Sequence, residues 1–327
     1  MFALVLPLVL AVPPGGAPAP LAHTYSIVAR DSVTGEMGVA VQSHYFSVGP
    51  IVPWAEAGIG AVATQSLVLV DYGPNGLELM RRGFTAPQAL DMLKRGDPNP
   101  DVRQVAMVDA KGNIAAHTGA KCIPDAGYQT GAQYSVQANL MANAKVWPAM
   151  ANAYEHAKGD LAERMLQALE AAENVGGDIR GRQSAAILIV KAQPTGKAWV
   201  DRVMDLRVED QDKPLVELRR LVRLRRAYNL EDAGDNAIAA HDPEEALRQY
   251  EAAMKLAPEI VELQFWAAVS MYTNGREPEG RALFKKVFAK EARWVPLVPR
   301  LAKVGLFPDD PKMLADVAAQ ATKGARW

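Results

Sequence analysis

A threonine near the start of the chain is the residue best placed for chemistry. Thr24 lies just past an apolar leader and opens the stretch TYSIVARD, the first strand-like run after that leader. A hydroxyl group at this position could act as a nucleophile once the leader is removed. The alternative interpretation is that Thr24 is only the first β-branched residue of a strand.

Polar residues at the ends of other predicted strands could reach the same point. Ser43 ends the second strand, which should pair in a hairpin with the strand that Thr24 opens. Thr64 and Gln65 end the fourth strand, and Asn139 ends a later one. Backbone or side-chain N–H groups there could donate to an oxyanion. Each of these residues could instead satisfy an ordinary turn or loop.

A charged, glycine-rich loop, GGDIRGRQ over residues 176–183, precedes a strongly apolar strand. Asp178, Arg180 and Arg182 in this loop predict either an internal ion pair or a clamp for a substrate carboxylate. We expect the Arg182 guanidinium to be the charged group of the catalytic site, because Arg182 lies next to the strand. We expect Asp178 to help bind the substrate. Cys122, the chain's one cysteine, lies in a loop without a clear histidine partner and is more typical of packing.

The N-terminal segment has the pattern of a secretion signal. Residues 1–12 read MFALVLPLVLAV, which is about the length of a signal-peptide core and too short to span a bilayer. Ala19 and Ala22 offer cleavage sites, so we predict a leader over residues 1–22 and an exported, periplasmic or extracellular protein. An uncleaved or membrane-tethered leader is the alternative. Cleavage after Ala22 would leave His23 in front of Thr24.

Composition argues against several classes of partner. The formal net charge is −1, which gives no electrostatic basis for binding nucleic acid or an anionic membrane. The five histidines are scattered without metal-ligand spacing, so we expect no metal. No phosphate-binding glycine motif follows a strand, and we expect no cofactor.

The predicted elements alternate in blocks. Four strands, two helices, three strands, two helices and two strands are indicated over residues 25–29, 38–43, 48–53, 58–66, 73–83, 85–95, 102–109, 114–118, 134–140, 146–156, 161–174, 184–191 and 198–208. Segregated blocks favour an α+β fold. Two antiparallel sheets, each covered by a helix pair, would give four layers in a domain over residues 23–210.

Several stretches of the chain closely resemble the family called DUF1028. They are TYSIVARD, GVAVQS, VPWAEAGIGAVATQ, TGAKCIPDAG, YSVQANLMA and GGDIRGRQSAA, within about residues 24–226. The resemblance implies an Ntn-hydrolase-like αββα sandwich, as in proteasome subunits and penicillin acylases. It implies much less about activity, because the family name records an unassigned function.

The resemblance also implies a particular use of Thr24. An Ntn hydrolase attacks an amide carbonyl with the side chain of its first residue, and the α-amine of that residue is the base. An α-amine suits this role because its pKa is about 7.7–8. Many DUF1028 members begin Met-Thr, and the matching threonine here is Thr24. Ser43 resembles the partner beside the nucleophile in proteasome-like enzymes. With His23 in front, Thr24 has an amide nitrogen and no base.

The C-terminal third indicates a separate helical module. Residues 211–226 predict an amphipathic linker helix, and a 34-residue period follows from Ala227. Its bulky, small, aromatic and proline positions resemble a tetratricopeptide (TPR) repeat: Leu230, Gly234, Ala246, Tyr250, Ala253 and Pro258. A second, degenerate copy completes a region over residues 227–308, before a tail over 309–327. Such modules bind peptides or proteins; a packing appendage that also forms a homodimer is the alternative.

Two functions of different class remain open on the sequence. The first is an exported Ntn-type amidohydrolase that acts on a small amide or peptide with Thr24 as nucleophile. The second is a non-catalytic binding protein on the same fold, which holds a peptide or cell-wall fragment in its pocket or on its repeats. The N-terminal residue of the mature chain discriminates between them.

Overall fold

The computed structural model describes residues 21–321, which form a mixed α/β protein with antiparallel sheets and a helical C-terminal region. The predicted leader therefore lies outside the described residues, except for its last two. Two compact units divide the chain, Met1–Arg219 and Arg220–Trp327. Within residues 21–321, no helix is both long and apolar enough to cross a membrane.

The first unit contains all the described strands. They are β1 Leu21–Ala22, β2 Thr24–Arg30, β3 Met37–Ser43, β4 Pro53–Glu56, β5 Gly60–Leu67, β6 Arg103–Asp109, β7 Ile114–Thr118, β8 Gly127–Gly131, β9 Tyr134–Ala138, β10 Ser184–Val190 and β11 Arg202–Val208. The helices between them are α1 Tyr72–Arg81, α2 Ala86–Gly96, α3 Val146–His156, α4 Leu161–Asn174 and the short α5 Ala198–Asp201. A longer helix, α6 Pro214–Ala239, begins in this unit and continues into the second.

The first sheet has the strand order β1-β5-β6-β7, and β4 also pairs with β5; all pairs are antiparallel. Because β6 pairs along one side of β5, the two short strands β4 and β1 share its other side. β4 covers Gly60–Ala63, and β1 covers Ser66 and Leu67. The outer edge of β5 is therefore covered by two pieces of chain that lie end to end.

The second sheet is also antiparallel, in the order β11-β10-β3-β2-β9-β8. Its central hairpin, β2 and β3, was predicted, and its register places Thr24 opposite Ser43. Asp31 fixes the turn, because its Oδ1 accepts hydrogen bonds of 2.8 Å from the backbone N–H groups of both Val33 and Thr34. This is the local role that aspartate commonly has in turns.

Small apolar side chains from both sheets form one buried cluster. It contains Val39 and Val41 of β3, Ala61 and Ala63 of β5, and Ala186 of β10, all at most 1% exposed. Alanine and valine occupy little depth, so the facing strands can approach closely. Polar side chains that lie between the two sheets are consequently surrounded by protein and shielded from solvent.

A helix pair packs against each sheet. Leu77, Met80 and Leu90 of α1 and α2 are buried in a cluster with Val62 and Met107 of the first sheet. Thr85 begins α2 with the predicted N-cap, since its side chain accepts from the backbone N–H of Gln88 and the Gln88 side chain accepts from the backbone N–H of Thr85.

On the second sheet, α4 packs against β2 and β3, and α3 packs against β8 and β9. The stripe predicted to be buried on α4 is buried at all four positions: Leu161, Met165, Leu166 and Leu169. The Asp160 side chain accepts from the backbone N–H of Glu163 and begins the helix.

Two predicted strands differ from the structure, and one observed strand was not predicted. The strand expected over residues 48–53 begins only at Pro53, because Val48 to Val52 form turns that close onto the carbonyl of Val48. The strand expected over 198–208 starts with the short helix α5, where the Asp201 carboxylate accepts hydrogen bonds from Thr195. β8 was missed, since its side chains at Tyr128 to Thr130 are exposed and carry no alternating apolar pattern.

The second unit is helical. After α6 it contains α7 Pro243–Leu256, α8 Val261–Thr273, α9 Glu277–Lys290, α10 Val298–Ala302 and α11 Pro311–Ala318. α7 and α9 begin 34 residues apart, at the predicted period. Gly280 permits close packing of α9 on α8, because a Cβ atom there would lie 2.8 Å from the Tyr272 backbone nitrogen.

Candidate functional site

The chain passes from one sheet to the other at His23. Ala22 pairs with Ser66 of the first sheet, while Thr24 pairs with Ser43 of the second. His23 is 4% exposed, and Thr24 is completely buried. The peptide bond between His23 and Thr24 therefore lies in the protein interior, at the point where the two sheets are joined.

Thr24 makes polar contacts with both its side chain and its main chain. Its hydroxyl group donates a hydrogen bond of 2.8 Å to the carbonyl of Ala22. Its own carbonyl accepts from the backbone N–H of Asn139 and from the side-chain amide of Gln65, both at 3.1 Å. The candidate nucleophile is thus fixed in orientation by groups from three strand ends.

The carbonyl of His23, which belongs to the peptide bond before Thr24, accepts two side-chain hydrogen bonds. The hydroxyl group of Ser43 donates one at 2.6 Å, and the Nη2 of Arg180 donates the other at 2.6 Å. Two donors on one carbonyl oxygen, one of them charged, stabilise negative charge on that oxygen. This is the electrostatic arrangement that attack on a carbonyl carbon requires.

Asp178 holds Arg180 in this position. Its Oδ1 accepts from the Nε of Arg180 at 3.0 Å, and its Oδ2 accepts from Nη2 at 2.7 Å. The backbone N–H of His44 also donates to Oδ2, at 3.3 Å. The Asp178 side chain is fully buried, so the paired carboxylate also neutralises the guanidinium charge beside the His23 carbonyl.

Arg182 points away from this point. Its side chain, 46% exposed, forms an ion pair with Glu173 of α4. Gly181 between the two arginines has a φ of 107°, a left-handed conformation that favours glycine and turns the chain. The structure therefore brings Arg180, and not the expected Arg182, to the Thr24 region.

The imidazole of His23 is held by Asn139. Its Nδ1 lies 2.7 Å from Asn139 Oδ1. Asn139 Nδ2 donates to Gln104 Oε1 at 2.8 Å, which leaves Oδ1 as the acceptor and makes Nδ1 the protonated nitrogen. Burial lowers the pKa of His23 below its usual value, against the hydrogen bond that the ring donates to Asn139, and the nearby Arg180 lowers it further. Burial therefore favours the neutral form of the ring.

A network of buried amides surrounds Thr24. The Oε1 of Gln104 accepts from Gln65 at 2.6 Å and from Asn139 at 2.8 Å, and its Nε2 donates to the carbonyl of Ala138 at 2.8 Å. Gln65 also accepts from the hydroxyl of Ser26 at 2.6 Å. Every member named here is completely buried. Such a network rigidifies the groups around Thr24, because each polar atom has a specific partner.

The predicted site residue Thr64 and the lone cysteine Cys122, which the sequence assigned to packing, make no contact with Thr24 through their polar groups. The Thr64 hydroxyl donates to the carbonyl of Leu69 at 3.1 Å. Cys122 donates from its thiol to the carbonyl of Arg103 at 3.3 Å, and burial raises the pKa of the thiol. Both contacts belong to local packing rather than to the groups on Thr24. Thr24, Ser43, Gln65 and Asn139 are brought together as the strand ends predicted.

A cavity of about 650 Å³ lies beside the amide network. Its walls include Thr118, Cys122, Gly127 and Trp147. Gln104 connects it to the network, because its Nε2 donates to Thr118 Oγ1 at 2.8 Å and to the carbonyl of Gly127 at 3.3 Å. Gln104 therefore links residues of the cavity wall to the buried amides around Thr24.

Sequence reasoning named Gln65 but missed the other buried glutamines, and it treated His23 only as a block on Thr24. Gln42, Gln65, Gln104 and Gln137 lie one in each of the buried strands β3, β5, β6 and β9. Buried glutamines are unusual, and this recurrence was an available signal. Among the described residues, no group of three or more metal-ligating side chains is placed to hold a metal ion.

Comparisons with known proteins agree on one family. The model of DUF1028, described as a family of unknown function, matches residues 24–218. The chain is similar to the crystal structure of protein SPO2555 from Silicibacter pomeroyi, which bears the same family description. The two are 28% identical with a TM-score of 0.56, over 62% of this chain and 88% of that one. No curated protein matches the chain.

Proposed function

The chain belongs to the DUF1028 family, and from that premise we propose that it is an amidohydrolase with Thr24 as its N-terminal nucleophile. Its substrate is a small amide or peptide. The single observation that carries the proposal is the pair of donors, Ser43 and Arg180, on the carbonyl that precedes Thr24. This is the carbonyl that must be attacked to release Thr24 as a first residue.

The release is a self-cleavage. The Thr24 hydroxyl oxygen attacks the His23 carbonyl carbon, and Ser43 and Arg180 stabilise the negative charge on its oxygen. The bond from carbon to the Thr24 nitrogen then breaks, and that nitrogen leaves as an amine with the hydroxyl proton. Water hydrolyses the resulting ester to a His23 carboxylate and a free Thr24 hydroxyl.

The released α-amine completes the catalytic group. It has a pKa of about 7.7–8 in an ordinary environment and can accept the proton of the adjacent hydroxyl near neutral pH. In the reaction with substrate, Thr24 attacks the amide carbon, Ser43 and Arg180 stabilise the oxyanion, and Asp178 orients Arg180. Asn139 and Gln65 hold the Thr24 backbone in place.

The packing of the first unit supports the αββα sandwich that this function requires. Two antiparallel sheets share a cluster of small side chains, and a helix pair packs against each sheet. The apolar leader over residues 1–22 supports export. The 34-residue offset of α7 and α9 supports a TPR-like module that binds a protein partner.

A second candidate function is binding without catalysis. The observation that favours it is the burial of Thr24, which is 0% exposed and donates its hydroxyl proton to the Ala22 carbonyl. A threonine that stays enclosed in this way has no access to substrate. The protein would then be a binding module on the same fold.

Intact mass separates the two functions. The full chain is produced without secretion, purified and incubated, and its mass is followed over time. We expect the wild type and Thr24→Ser to accumulate a chain that begins at Thr24, and Thr24→Ala to remain uncut. Arg180→Met should slow the cut about 100-fold, the usual effect of losing one oxyanion donor. Arg202→Met, at an exposed arginine of β11, is the matched control.

Two outcomes would contradict the proposed function. One is a wild-type chain that never acquires Thr24 as its first residue. The other is equal cleavage of wild type and Thr24→Ala, which would assign the cut to a contaminating protease.

A further inference from the structure

The leader strand β1 occupies a defined place on the first sheet. It pairs with Ser66 and Leu67, on the part of the β5 edge that β4 leaves uncovered. β1 also lies immediately N-terminal to the bond before Thr24. If that bond is cut and the leader leaves, this edge of β5 loses its partner and presents unpaired backbone groups.

The end of β5 is braced independently of the leader. The Nη1 of Arg103 donates to the Leu67 carbonyl at 2.6 Å, and its Nε donates to Asp97 at 2.9 Å. Asp97 also accepts from the hydroxyl group of Tyr72 at 3.2 Å. None of these contacts involves a residue of β1, so we expect the edge to keep its shape without the leader and to accept another strand.

Each leader residue meets a different environment. His23 is 4% exposed and its ring donates to Asn139, while its carbonyl lies on Ser43 and Arg180. Ala22 is 0% exposed and belongs to the cluster of small side chains between the sheets. Leu21 is 55% exposed. The place filled by the leader is therefore selective at the positions of His23 and Ala22 and open to solvent at the position of Leu21.

We propose that the place filled by Leu21–His23 is the substrate subsite of the cleaved protein, which binds the acyl side of an extended peptide as an added strand on β5. The peptide residue whose carbonyl is attacked has a ring that donates a hydrogen bond, as His23 does. The residue before it has a small side chain, as Ala22 does. Strand addition gives affinity through the backbone, and the enclosed positions give specificity. This inference rests on the proposed function of Thr24.

The same place binds the product of the reaction. Hydrolysis consumes water: Thr24 Oγ1 forms an ester with the acyl half, the amine half leaves with the proton, and water divides the ester. The acyl half then ends in a carboxylate at the position of the His23 carbonyl. Arg180 and Ser43 are placed to hold that carboxylate, since a guanidinium and a hydroxyl group both donate to it.

The test uses a protein that begins at Thr24, released from a ubiquitin fusion after folding. Of the described residues only Leu21, Ala22 and His23 are lost, and circular dichroism checks that the rest of the fold is retained. Calorimetric titration compares acetyl-Leu-Ala-His carboxylate with three relatives: Trp in place of Ala, Lys in place of Leu, and the C-terminal amide. We expect binding of the first peptide, at least tenfold weaker binding for the Trp and amide peptides, and no change for Lys.

Variants of the protein test which residue holds the peptide carboxylate and whether the leader competes with the peptide. Arg180→Met should abolish the difference between carboxylate and amide, and the Arg202→Met control should retain it. The full-length Thr24→Ala chain, with β1 in place, should bind none of the peptides. Equal affinity for the Ala and Trp peptides, or binding by the full-length chain, would overturn the inference.

A second measurement tests the subsite in the full chain, in case the protein that begins at Thr24 does not stay folded. In the full chain, Ala22→Trp should slow self-cleavage at least tenfold, and Leu21→Trp should leave it unchanged; equal rates for the two would reject the subsite. The two proposals fail separately. Selective peptide binding without any hydrolysis defeats the hydrolase proposal alone, whereas hydrolysis without selection at the second position defeats the subsite alone.

Discussion

Arg180 donates a hydrogen bond of 2.6 Å to the carbonyl of His23, a residue 157 positions earlier in the chain. The contact is made inside a loop whose own carboxylate, Asp178, binds the same guanidinium group through two nitrogens. A charged donor is thereby brought to a buried main-chain carbonyl without leaving an unbalanced charge. Tests of stability and of pH dependence follow from this arrangement and from other contacts of the fold.

The Asp178–Arg180 pair should be important for stability. Asp178→Ala removes the carboxylate and leaves the guanidinium of Arg180, 28% exposed, without its partner. We expect a loss of about 2 kcal/mol in the free energy of unfolding, less than for a fully buried pair. Asp205→Ala, which breaks exposed pairs with Arg202 and Arg207, should change it by under about 0.5 kcal/mol. Urea denaturation measures both, and equal losses would contradict the prediction.

The amide network should depend on Gln104. Gln104→Met keeps the side-chain volume but leaves the amide N–H groups of Gln65 and Asn139 without their shared acceptor. Each unsatisfied buried donor costs about 1–3 kcal/mol, so we expect a total loss of about 3 kcal/mol. The control is Gln129→Met on the exposed strand β8. A loss below 1 kcal/mol for Gln104→Met, as judged by chemical denaturation, would argue against the network.

Two glycines should respond in opposite ways to alanine. A Cβ atom on Gly38 of β3 would lie 2.3 Å from the Leu188 carbonyl oxygen in β10, so the strands must separate. Gly38→Ala should lower the melting temperature by several degrees, since overpacking costs about 1–3 kcal/mol. Gly96 ends α2 with no atom within 4 Å of its Cβ position. Gly96→Ala should be neutral or slightly stabilising, and a similar loss in both variants would be inconsistent with this packing.

Glu231 should make the helical unit less stable as pH rises. Burial, together with the neighbouring Glu262, Asp235 and Asp232, raises the pKa of this carboxyl from 4.5 to about 7. At a pH between these two pKa values, Glu231 holds a proton in the folded state that it has lost in the unfolded state. Stability therefore falls as pH rises from about 4.5 to about 7 and is constant above that range.

Glu231→Gln is the corresponding test. It should remove most of this pH dependence and raise stability at pH 8 by on the order of 1 kcal/mol. Thermal unfolding followed by the helical circular dichroism signal, at pH 5 and pH 8, measures the effect. Glu244→Gln at an exposed position of α7 is the control. An unchanged pH profile in Glu231→Gln would contradict the assignment.

Acid should loosen the leader strand. The buried ring of His23 has a lowered pKa, so the docked state excludes a proton that the undocked strand binds below about pH 6.5. Docking should weaken as pH falls below that value and remain constant above it. Hydrogen exchange at Ser66 and Leu67, corrected for intrinsic rates, reports docking in the uncut Thr24→Ala chain. His23→Gln, which stays neutral, should show no such pH dependence; an equal response in both chains would exclude His23 as the cause.

Much of the first unit was predictable because its signals are local. The hairpin turn after Asp109 located β7, and helical patterns located α3 and α4, at their observed bounds; family-like segments identified DUF1028. The convergence of Thr24, Ser43, Gln65 and Asn139 also followed from their positions at strand ends. The element bounds depend on residues near in sequence, and the approach of Ser43 and Asn139 to Thr24 depends on the pairing of β2 with β3 and β9, whereas Gln65 reaches Thr24 across the two sheets.

The rest depends on geometry that a sequence pattern does not contain. Arg180 and Arg182 flank a glycine, and only the observed turn at Gly181 decides which side chain faces the sheet. The docking of Ala22 depends on the edge that β4 leaves open on β5. Gln104 becomes a shared acceptor because β5, β6 and β9 meet across the two sheets, a long-range relationship.

The position of Cys122 gives the chain a built-in chemical reporter. It is the sole thiol in the sequence, 7% exposed, and bonded to the carbonyl of Arg103, which pairs with Ser66 opposite Ala22. A thiol reagent added to the native protein will therefore react slowly. Because Arg103 also donates to the Leu67 carbonyl, the rate should change little when the leader departs, and a faster reaction would reveal, without any introduced label, that this end of the sheet has opened.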